Sequence, residues 1–236
     1  MNQAQYQRLI GLVALFLASA GIAAGLFSLS YRYDNKYTAP GPQPFAGVLL
    51  LSEEDLEQHP VIWLVRDWEI YRDRLLTPSD LAEGLLLPDE LVFIGQYGGF
   101  EGRVTAGLPA RNPHGSATYR LNLSLPAETR SYILELPEIF SAYRLYLNGT
   151  LMQSLGNTEP IGYRPETGIT AVTVQAAEQL EILLAVTDYS HFYSGLVYPP
   201  AFGEHGAVAR MMNQRLSGRT LICAVALGIG SAYLLI

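Results

Sequence analysis

Three stretches between Gly115 and Gly156 alternate apolar and polar residues with a period of two, which is typical of half-buried strands. Pro126 and Pro137 separate the stretches. Asn148-Gly149 follows the third stretch and tolerates positive φ at both positions, so it predicts a tight hairpin. Three strands with one apolar face each predict that the rest of the chain supplies a covering sheet. The apolar positions are Tyr119, Leu121, Leu123 and Leu125; Tyr132, Leu134 and Leu136; and Tyr143, Leu145 and Leu147.

Shorter segments extend this pattern on both sides. Ser52 with Asp55 resembles a helix cap, and Thr77-Pro78 opens a short helix that Gly84 closes. Many short strands with turn residues between them predict a mainly β fold, a β-sandwich or jelly roll. The further strands are predicted at Val48–Leu51, around Trp68 and Ile70, at Leu91–Ile94, at Ile169–Val174 and at Leu180–Val186.

Both ends of the chain carry long apolar runs. Leu9–Leu29 has 21 uncharged residues, about 31 Å as a helix, which predicts a membrane anchor. Arg8 and the Ala18-Ser19-Ala20 stretch leave a secretory signal peptide as the alternative. Leu221–Ile236, about 24 Å as a helix, is interpreted as the truncated first helix of a larger membrane region. Arg210, Arg215 and Arg219 flank that run on its outer side, against the positive-inside tendency.

The charge distribution separates the middle of the chain from its ends. The 22 acidic residues all lie between Asp34 and Glu204, and eleven basic residues lie between Arg32 and Arg164, so the middle region from Arg32 to Glu204 carries about −11 of charge. An acidic domain argues against nucleic acid as a partner and against adsorption to anionic lipid. The one cysteine, Cys223, lies in the second apolar run and says nothing about the compartment.

Four blocks in order resemble a known family. They are WLVRDWEIYRDRLLTPSDL, GSATYRLNLSLP, FSAYRLYLNGTLMQSLG and ILLAVTDYSHFYSGLVYPPAFGE. Together they resemble the extracytoplasmic sensor domain of bacterial 7TM-DISM receptors, seven-transmembrane receptors with diverse intracellular signalling modules. Two positions depart from the family pattern: Asp67 stands where Gly is frequent, and Asp188 stands where Asn is frequent.

The resemblance implies a fold and a function. The fold is a galactose-binding-like jelly-roll β-sandwich flanked by N-terminal and C-terminal transmembrane helices. The function is ligand sensing, with carbohydrate as the implied class, coupled to a cytoplasmic histidine kinase or diguanylate cyclase that this chain does not contain. Residues 1–36 are then the anchor or signal segment, 37–206 the extracytoplasmic sensor, and 207–236 a juxtamembrane helix with the first membrane helix. The protein is expected in the cytoplasmic (inner) membrane, and a homodimer is compatible with this plan.

Six residues are predicted to contact a ligand. Tyr189, His191 and Tyr193 lie in a loop after a buried strand, where binding residues gather. The alternative for His191 is a packed aromatic loop in which its hydrogen bonds are satisfied. Arg120, Arg144 and Tyr146 point away from the core and could hydrogen-bond hydroxyls or a carboxylate if that face is open. A solvated sheet face is the alternative for these three.

No motif for catalysis or for a bound cofactor stands out. The Gly-rich loop GQYGGFEGR lacks the Lys and Ser/Thr of a phosphate-binding loop and is interpreted as a connection between strands. The four histidines do not have metal-ligand spacing. This segment is therefore expected to be neither an enzyme nor a metal or cofactor protein, whereas the full-length protein stays open because its output domain could be a histidine kinase or diguanylate cyclase. Two other classes stay open, an accessory module of a membrane-anchored carbohydrate-active enzyme and a module that binds a protein partner.

Overall fold

The computed structural model describes residues 3–33, 36–83, 86–95, 100 and 113–234. Gly84 and most of the Gly-rich loop lie outside these residues. The chain divides into two compact units, Met1–Ala39 and Pro40–Ile236.

The first unit contains one long helix, α1 (Gln3–Tyr33). Its segment Gln5–Leu29 has a mean hydropathy of 2.3 and is not buried by the protein. Within the described residues it is the one helix long and apolar enough to cross a membrane. A secretory signal sequence meets the same criteria, so both interpretations of this segment stand.

The second unit is built on two β-sheets packed face to face. The larger sheet has the order β4-β3-β5-β10-β7-β8, and β1 pairs with β5 in parallel. The smaller sheet has the order β2-β11-β6-β9, and all its pairs are antiparallel. The strands are β1 (Val48–Leu50), β2 (Ile62–Trp63), β3 (Trp68–Arg72), β4 (Glu90–Val92), β5 (Gly115–Ser124), β6 (Arg130–Leu136), β7 (Ala142–Leu147), β8 (Thr150–Leu155), β9 (Thr170–Ala176), β10 (Gln179–Asp188) and β11 (Ala201–Glu204).

Three helices belong to this unit: α2 (Glu53–Gln58), α3 (Pro78–Glu83) and α4 (His205–Leu234). The predicted cap of α2 is confirmed. The Asp55 backbone N–H donates to Ser52 Oγ, and the Ser52 N–H donates back to the Asp55 carboxylate. α3 opens at the predicted Pro78.

The three alternating stretches are the strands β5, β6 and β7, but they do not share one sheet. β6 belongs to the smaller sheet, and β10 lies between β5 and β7. The expectation that other parts of the chain supply the whole second sheet is therefore wrong. The chain crosses to the smaller sheet after β5, at Pro126, and returns to the larger sheet after β6, at Pro137. Both sheets turn an apolar face to one core, so the apolar face of a strand fits either sheet. Asn148 and Gly149 have φ of 45° and 79°, which confirms the predicted hairpin.

The core lies between the two sheets. Trp68, Tyr119, Tyr132 and Tyr143 are its largest members, and all are at most 1% exposed. The Trp68 indole N–H donates to the Leu64 carbonyl at 2.8 Å, and the Tyr143 hydroxyl donates to Thr170 at 2.7 Å. The polar atoms of Trp68 and Tyr143 are thus paired inside an apolar layer, whereas the buried Tyr132 hydroxyl has no hydrogen-bond partner among the described residues.

The sandwich has two different ends. The hairpin end carries the Asn148-Gly149 turn and the short turn that joins β9 to β10. The loop end carries longer connections, residues 137–141, 156–169 and 189–200. The first residue of β5 and the last of β10 pair at the loop end, where β3 also finishes.

Both outer faces of the sandwich are covered in part. The segment after β3 crosses the larger sheet, where the Leu76 N–H donates to Thr118 Oγ1 at 2.9 Å. Tyr71 follows the core residues Trp68 and Ile70 in β3 and is also completely buried, and its hydroxyl donates to Glu69 at 3.0 Å. The first part of α4 covers the smaller sheet, since Ala207 and Val208 are buried.

The Asp67 departure from the family pattern has a backbone explanation. Asp67 has φ of 52°, a left-handed conformation that glycine adopts most easily and aspartate tolerates. Its carboxylate accepts a hydrogen bond from the Ala46 N–H at 3.1 Å. The side chain thus holds the segment before β1 against the start of β3.

Candidate functional site

Three of the predicted ligand contacts, Arg120, Arg144 and Tyr146, lie on the outer face of the larger sheet. The two arginines are ion-paired, and Tyr146 lies beside a buried side chain. Arg120 Nε donates to Glu181 at 2.8 Å, and a second nitrogen lies 3.4 Å from Glu69. Leu183 pairs in register with Arg120 and with Tyr146 on the same face and is fully buried. The face is therefore not open around Arg120.

Arg144 lies on the same face, nearer to the loop end. Its guanidinium pairs with Glu159 at 2.7 Å, and both side chains are partly exposed. Arg120 and Arg144 act as cross-strand and loop ion pairs in this structure. Their predicted role in ligand binding stays a prediction.

Tyr189, His191 and Tyr193 meet at the loop end in a cluster of aromatic rings. The His191 ring stacks on Phe140 with centroids 4.7 Å apart, and the Tyr193 N–H donates to His191 Nδ1 at 3.1 Å. Tyr189 meets Tyr163 edge-on at 5.3 Å. We call Phe140, Tyr163, Tyr189, His191, Phe192 and Tyr193 the aromatic cluster. His191 is packed and hydrogen-bonded within this cluster. This arrangement agrees with the alternative that His191 belongs to a packed aromatic loop.

Asp188 holds this loop in place. Its side chain is fully buried, and its Oδ1 accepts the backbone N–H groups of Ser190 and His191, both at 2.9 Å. Oδ2 accepts the Ser141 hydroxyl at 2.9 Å, and the Tyr163 hydroxyl donates to Oδ1 at 3.3 Å. Burial raises the pKa of Tyr163, which keeps that donor protonated. Asp188 therefore positions the loop and does not face a ligand.

A polar cleft of about 740 Å³ opens beside the aromatic cluster, at the same end of the sandwich. That volume is in the range of small-molecule sites. Two arginines, two aspartates and one histidine supply most of its polar groups. The cleft is lined by Arg72, Asp73, Arg74, Asp89, Phe100, His114, Gly115 and Ser116.

Arg72 anchors the inner wall of the cleft. Its side chain is 11% exposed, and its Nη1 pairs with Glu90 at 3.1 Å. Its Nε donates to the Phe100 carbonyl at 3.1 Å, and its backbone N–H donates to Asp89 at 2.6 Å. Nη2 is buried and has no hydrogen-bond acceptor among the described residues. A buried donor of this kind is uncommon in folded proteins.

The cleft and the loop of the aromatic cluster share a common support. Phe100 lines the cleft, and its N–H donates to Ser194 Oγ at 3.3 Å. The Leu196 N–H donates to the hydroxyl of Tyr119 at 3.3 Å, and burial raises the pKa of Tyr119 well above its usual range. Gly195 has φ of 74° and packs directly on Phe100 and Tyr119. A movement of the loop would therefore change the cleft wall.

None of the six predicted contact residues lines this cleft as the structure describes it. The sequence signal that was missed is the charged run Arg72-Asp73-Arg74 at the end of a strand, followed by Asp89. Charged residues where a buried strand ends mark a loop that a rigid sheet positions. Within the described residues, no group of three or more His, Cys, Asp or Glu side chains is arranged to hold a metal ion.

No protein-family model matches the chain, and no curated protein matches it. The 7TM-DISM resemblance therefore stays a prediction.

Solved structures similar to this chain include glycosidases. One is the GH2 β-galacturonidase from Eisenbergiella tayi, with a TM-score of 0.40 and 11% identity over 61% of this chain and 24% of that chain. The β-glucuronidase from Faecalibacterium prausnitzii has a TM-score of 0.42 and 12% identity over 61% of this chain and 31% of that chain.

The β-glucuronidase from Ruminococcus gnavus has a TM-score of 0.43 and 14% identity over 60% of this chain and 27% of that chain. The chain thus spans between a quarter and a third of the length of these three enzymes. TM-scores of this size do not establish a common fold, and such identities transfer neither activity nor substrate.

Proposed function

We propose that this chain is the extracytoplasmic sensor part of a bacterial membrane signalling receptor of the 7TM-DISM kind, with a galactose-binding-like jelly-roll domain. The polar cleft at the loop end is its ligand site. The ligand is a small, hydroxyl-rich molecule of the carbohydrate class. The observation that carries the proposal is the cleft itself, in which Arg72, Asp73, Arg74, Asp89 and His114 surround one cavity.

The chemistry of the cleft suits such a ligand. Carboxylates accept hydrogen bonds from hydroxyl groups, and guanidinium groups donate to hydroxyl or carboxylate oxygens. Arg72 Nη2 has a donor that no described residue uses. A ligand oxygen would satisfy that donor.

The membrane part of the proposal rests on the two ends of the chain. α1 contains a segment that can cross a membrane. α4 continues from the sandwich into an apolar, exposed second half. A ligand shifts an equilibrium between two states only if it binds one of them more tightly. Signal transfer would therefore require that the ligand binds more tightly to one arrangement of these helices than to another.

The first test is a thermal-shift screen of residues 40–218 against monosaccharides, oligosaccharides and small organic acids. The segment ends at residue 218 because the first turns of α4 cover the smaller sheet. A ligand that binds the folded state raises the midpoint with its concentration. We expect Arg74→Ala to abolish the shift, since Arg74 lines the cleft and its side chain is exposed.

Arg144→Ala is the matched control, because Arg144 is a partly exposed arginine that does not line the cleft. A shift that survives Arg74→Ala and disappears in Arg144→Ala would place the site on the outer face of the larger sheet. A periplasmic reporter fused after residue 206 tests the location. An inactive reporter there, with an active cytoplasmic one, would contradict the extracytoplasmic assignment.

A further inference from the structure

α4 runs along the smaller sheet from the hairpin end to the loop end. It begins at His205, directly after Glu204, whose partner on β6 is Tyr132. Ten residues later, Arg215 binds both carboxylate oxygens of Glu135 at 3.0 Å. Glu135 is the next-to-last residue of β6. The helix therefore advances along β6 in the strand's own direction and reaches the loop end at Arg215.

The ion pair at this point fixes the direction of the helix. The Glu135 side chain is 7% exposed, so it is almost entirely removed from water. The guanidinium of Arg215 also lies over the Trp63 ring, 4.8 Å from its centroid, which is within cation–π range. Arg215 is thus held between β2 and β6 and cannot swing away without leaving a buried carboxylate unpaired.

Beyond this ion pair the helix leaves the sandwich. The described side chains from Arg219 to Ser231 are all exposed, with Leu221 at 65% and Leu227 at 73%. The apolar run begins at Leu221, six residues after Arg215, or about 9 Å along the helix axis. That distance is close to the thickness of one headgroup layer, about 6 Å on each side of the hydrocarbon.

The aromatic cluster lies at this same end of the sandwich. Phe140 follows β6 by four residues and stacks on His191. Phe192 is 69% exposed, Tyr193 54% and Tyr189 45%. Ile161, in the loop that carries Tyr163, is 94% exposed. Large exposed apolar and aromatic side chains therefore gather beside the point where the apolar helix departs.

We infer that the aromatic cluster lies in the headgroup layer of the bilayer that α4 enters, with the loop end of the sandwich facing the membrane. Tyr and Trp side chains prefer this layer because each joins an apolar ring to a polar group. The surrounding domain is acidic, so the contact depends on the aromatic rings and does not need anionic lipid. The inference rests on the proposed function, in which the end of α4 is a membrane segment.

The test uses the whole chain in phosphatidylcholine nanodiscs. Cys223→Ser removes the single cysteine, and an environment-sensitive dye is attached to one introduced cysteine at a time. Phe192→Cys probes the aromatic cluster, Thr150→Cys probes the hairpin end, and Leu227→Cys probes α4. Spin-labelled lipids carry the quencher either at the headgroup or at the chain centre.

We expect headgroup-level quencher to reduce the emission at position 192 at least threefold more than at position 150. The chain-centre quencher should act on position 227. If position 192 behaves like position 150 while position 227 is quenched, the inference is wrong and the membrane segment stands. If position 227 is not quenched, both the inference and the membrane part of the proposed function fail. A blue-shifted label at position 192 that no lipid quenches would mean that protein covers the cluster, which also overturns the inference.

Discussion

The two ends of the sandwich are stabilised in different ways. The hairpin end is closed by short turns, a capping box and the Arg130 cluster with Glu128 and Glu204. The loop end is held by buried polar groups, namely the Asp188 carboxylate, the Ser194 hydroxyl and the Tyr119 hydroxyl. The hairpin end combines tight local turns with an ion-pair cluster at the surface, whereas the loop end depends on hydrogen bonds to buried polar side chains. The cleft therefore lies where the ends of β3 and β5 meet loops that are fixed in this way.

Two glycines with nearly the same backbone give the largest expected difference between the ends. Gly195 has φ of 74° and Gly149 has φ of 79°. A methyl group at Gly195 would overlap the Tyr119 hydroxyl and the Phe100 ring, whereas at Gly149 it would meet only Pro78 at 3.9 Å. Gly195→Ala should cost about 4 kcal/mol, and Gly149→Ala about 1 kcal/mol. Urea unfolding of both variants measures this, and equal costs would contradict the account of the loop end.

Asp188 offers a second comparison within the loop end. Asp188→Ala removes an acceptor used by four donors, so we expect a loss of about 3 kcal/mol in unfolding free energy. Asp188→Asn should lose only about 1 kcal/mol, because the amide oxygen can keep the Ser190 and His191 N–H groups and the amide nitrogen can donate to Ser141. Chemical unfolding of both variants tests this. A more severe effect of Asn than of Ala would show that the charge, and not the hydrogen bonds, is what the loop needs.

Alkaline pH should weaken the link between the core and the loop end. The pKa of Tyr119 is raised by burial in the folded protein, whereas the unfolded residue ionises near pH 10. Its contribution is complete below that pH and is lost as the pH rises from about 10 toward the folded pKa. Above about pH 10 the unfolding free energy of the parent protein should decrease with pH. In Tyr119→Phe that decrease should be less steep by about 1.4 kcal/mol per pH unit. An unchanged slope in unfolding experiments above pH 10 would contradict the burial of this hydroxyl.

Arg144→Ala should have the smallest effect. The Arg144–Glu159 pair is partly exposed on both sides, and such pairs contribute about 0.5 kcal/mol or less. A thermal midpoint within about 2 °C of the parent checks this. A larger loss would mean that Arg144 supports the loop of residues 156–169, and it would then be unsuitable as a control for ligand binding.

Local patterns predicted the strands and turns well. The alternation in β5, β6 and β7, the Asn148-Gly149 turn and the Ser52 cap each depend on residues close in the chain. The sheet to which each strand belongs was not predicted, because an apolar face at period two fits either side of one core. Period two places Tyr71 on the outward face of β3, so its complete burial does not follow from the pattern of the strand itself.

The candidate site was predicted less well for a related reason. The loop with His191 was recognised, but the role of Asp188 as the buried anchor of that loop was not predicted. The cleft is formed by Arg72, Asp89 and His114, which belong to three separate segments. Their meeting depends on the register of β3 and β5, which no local pattern specifies.

Hydrogen exchange shows whether the loop end binds a small ligand in the polar cleft. The measurement compares the second unit with and without a compound that raises its thermal midpoint. We expect slower exchange in residues 72–74 and 113–116 and in the loop after Asp188, with the hairpin around Gly149 unchanged. Protection confined to the strands that carry Arg120 and Arg144 would contradict it.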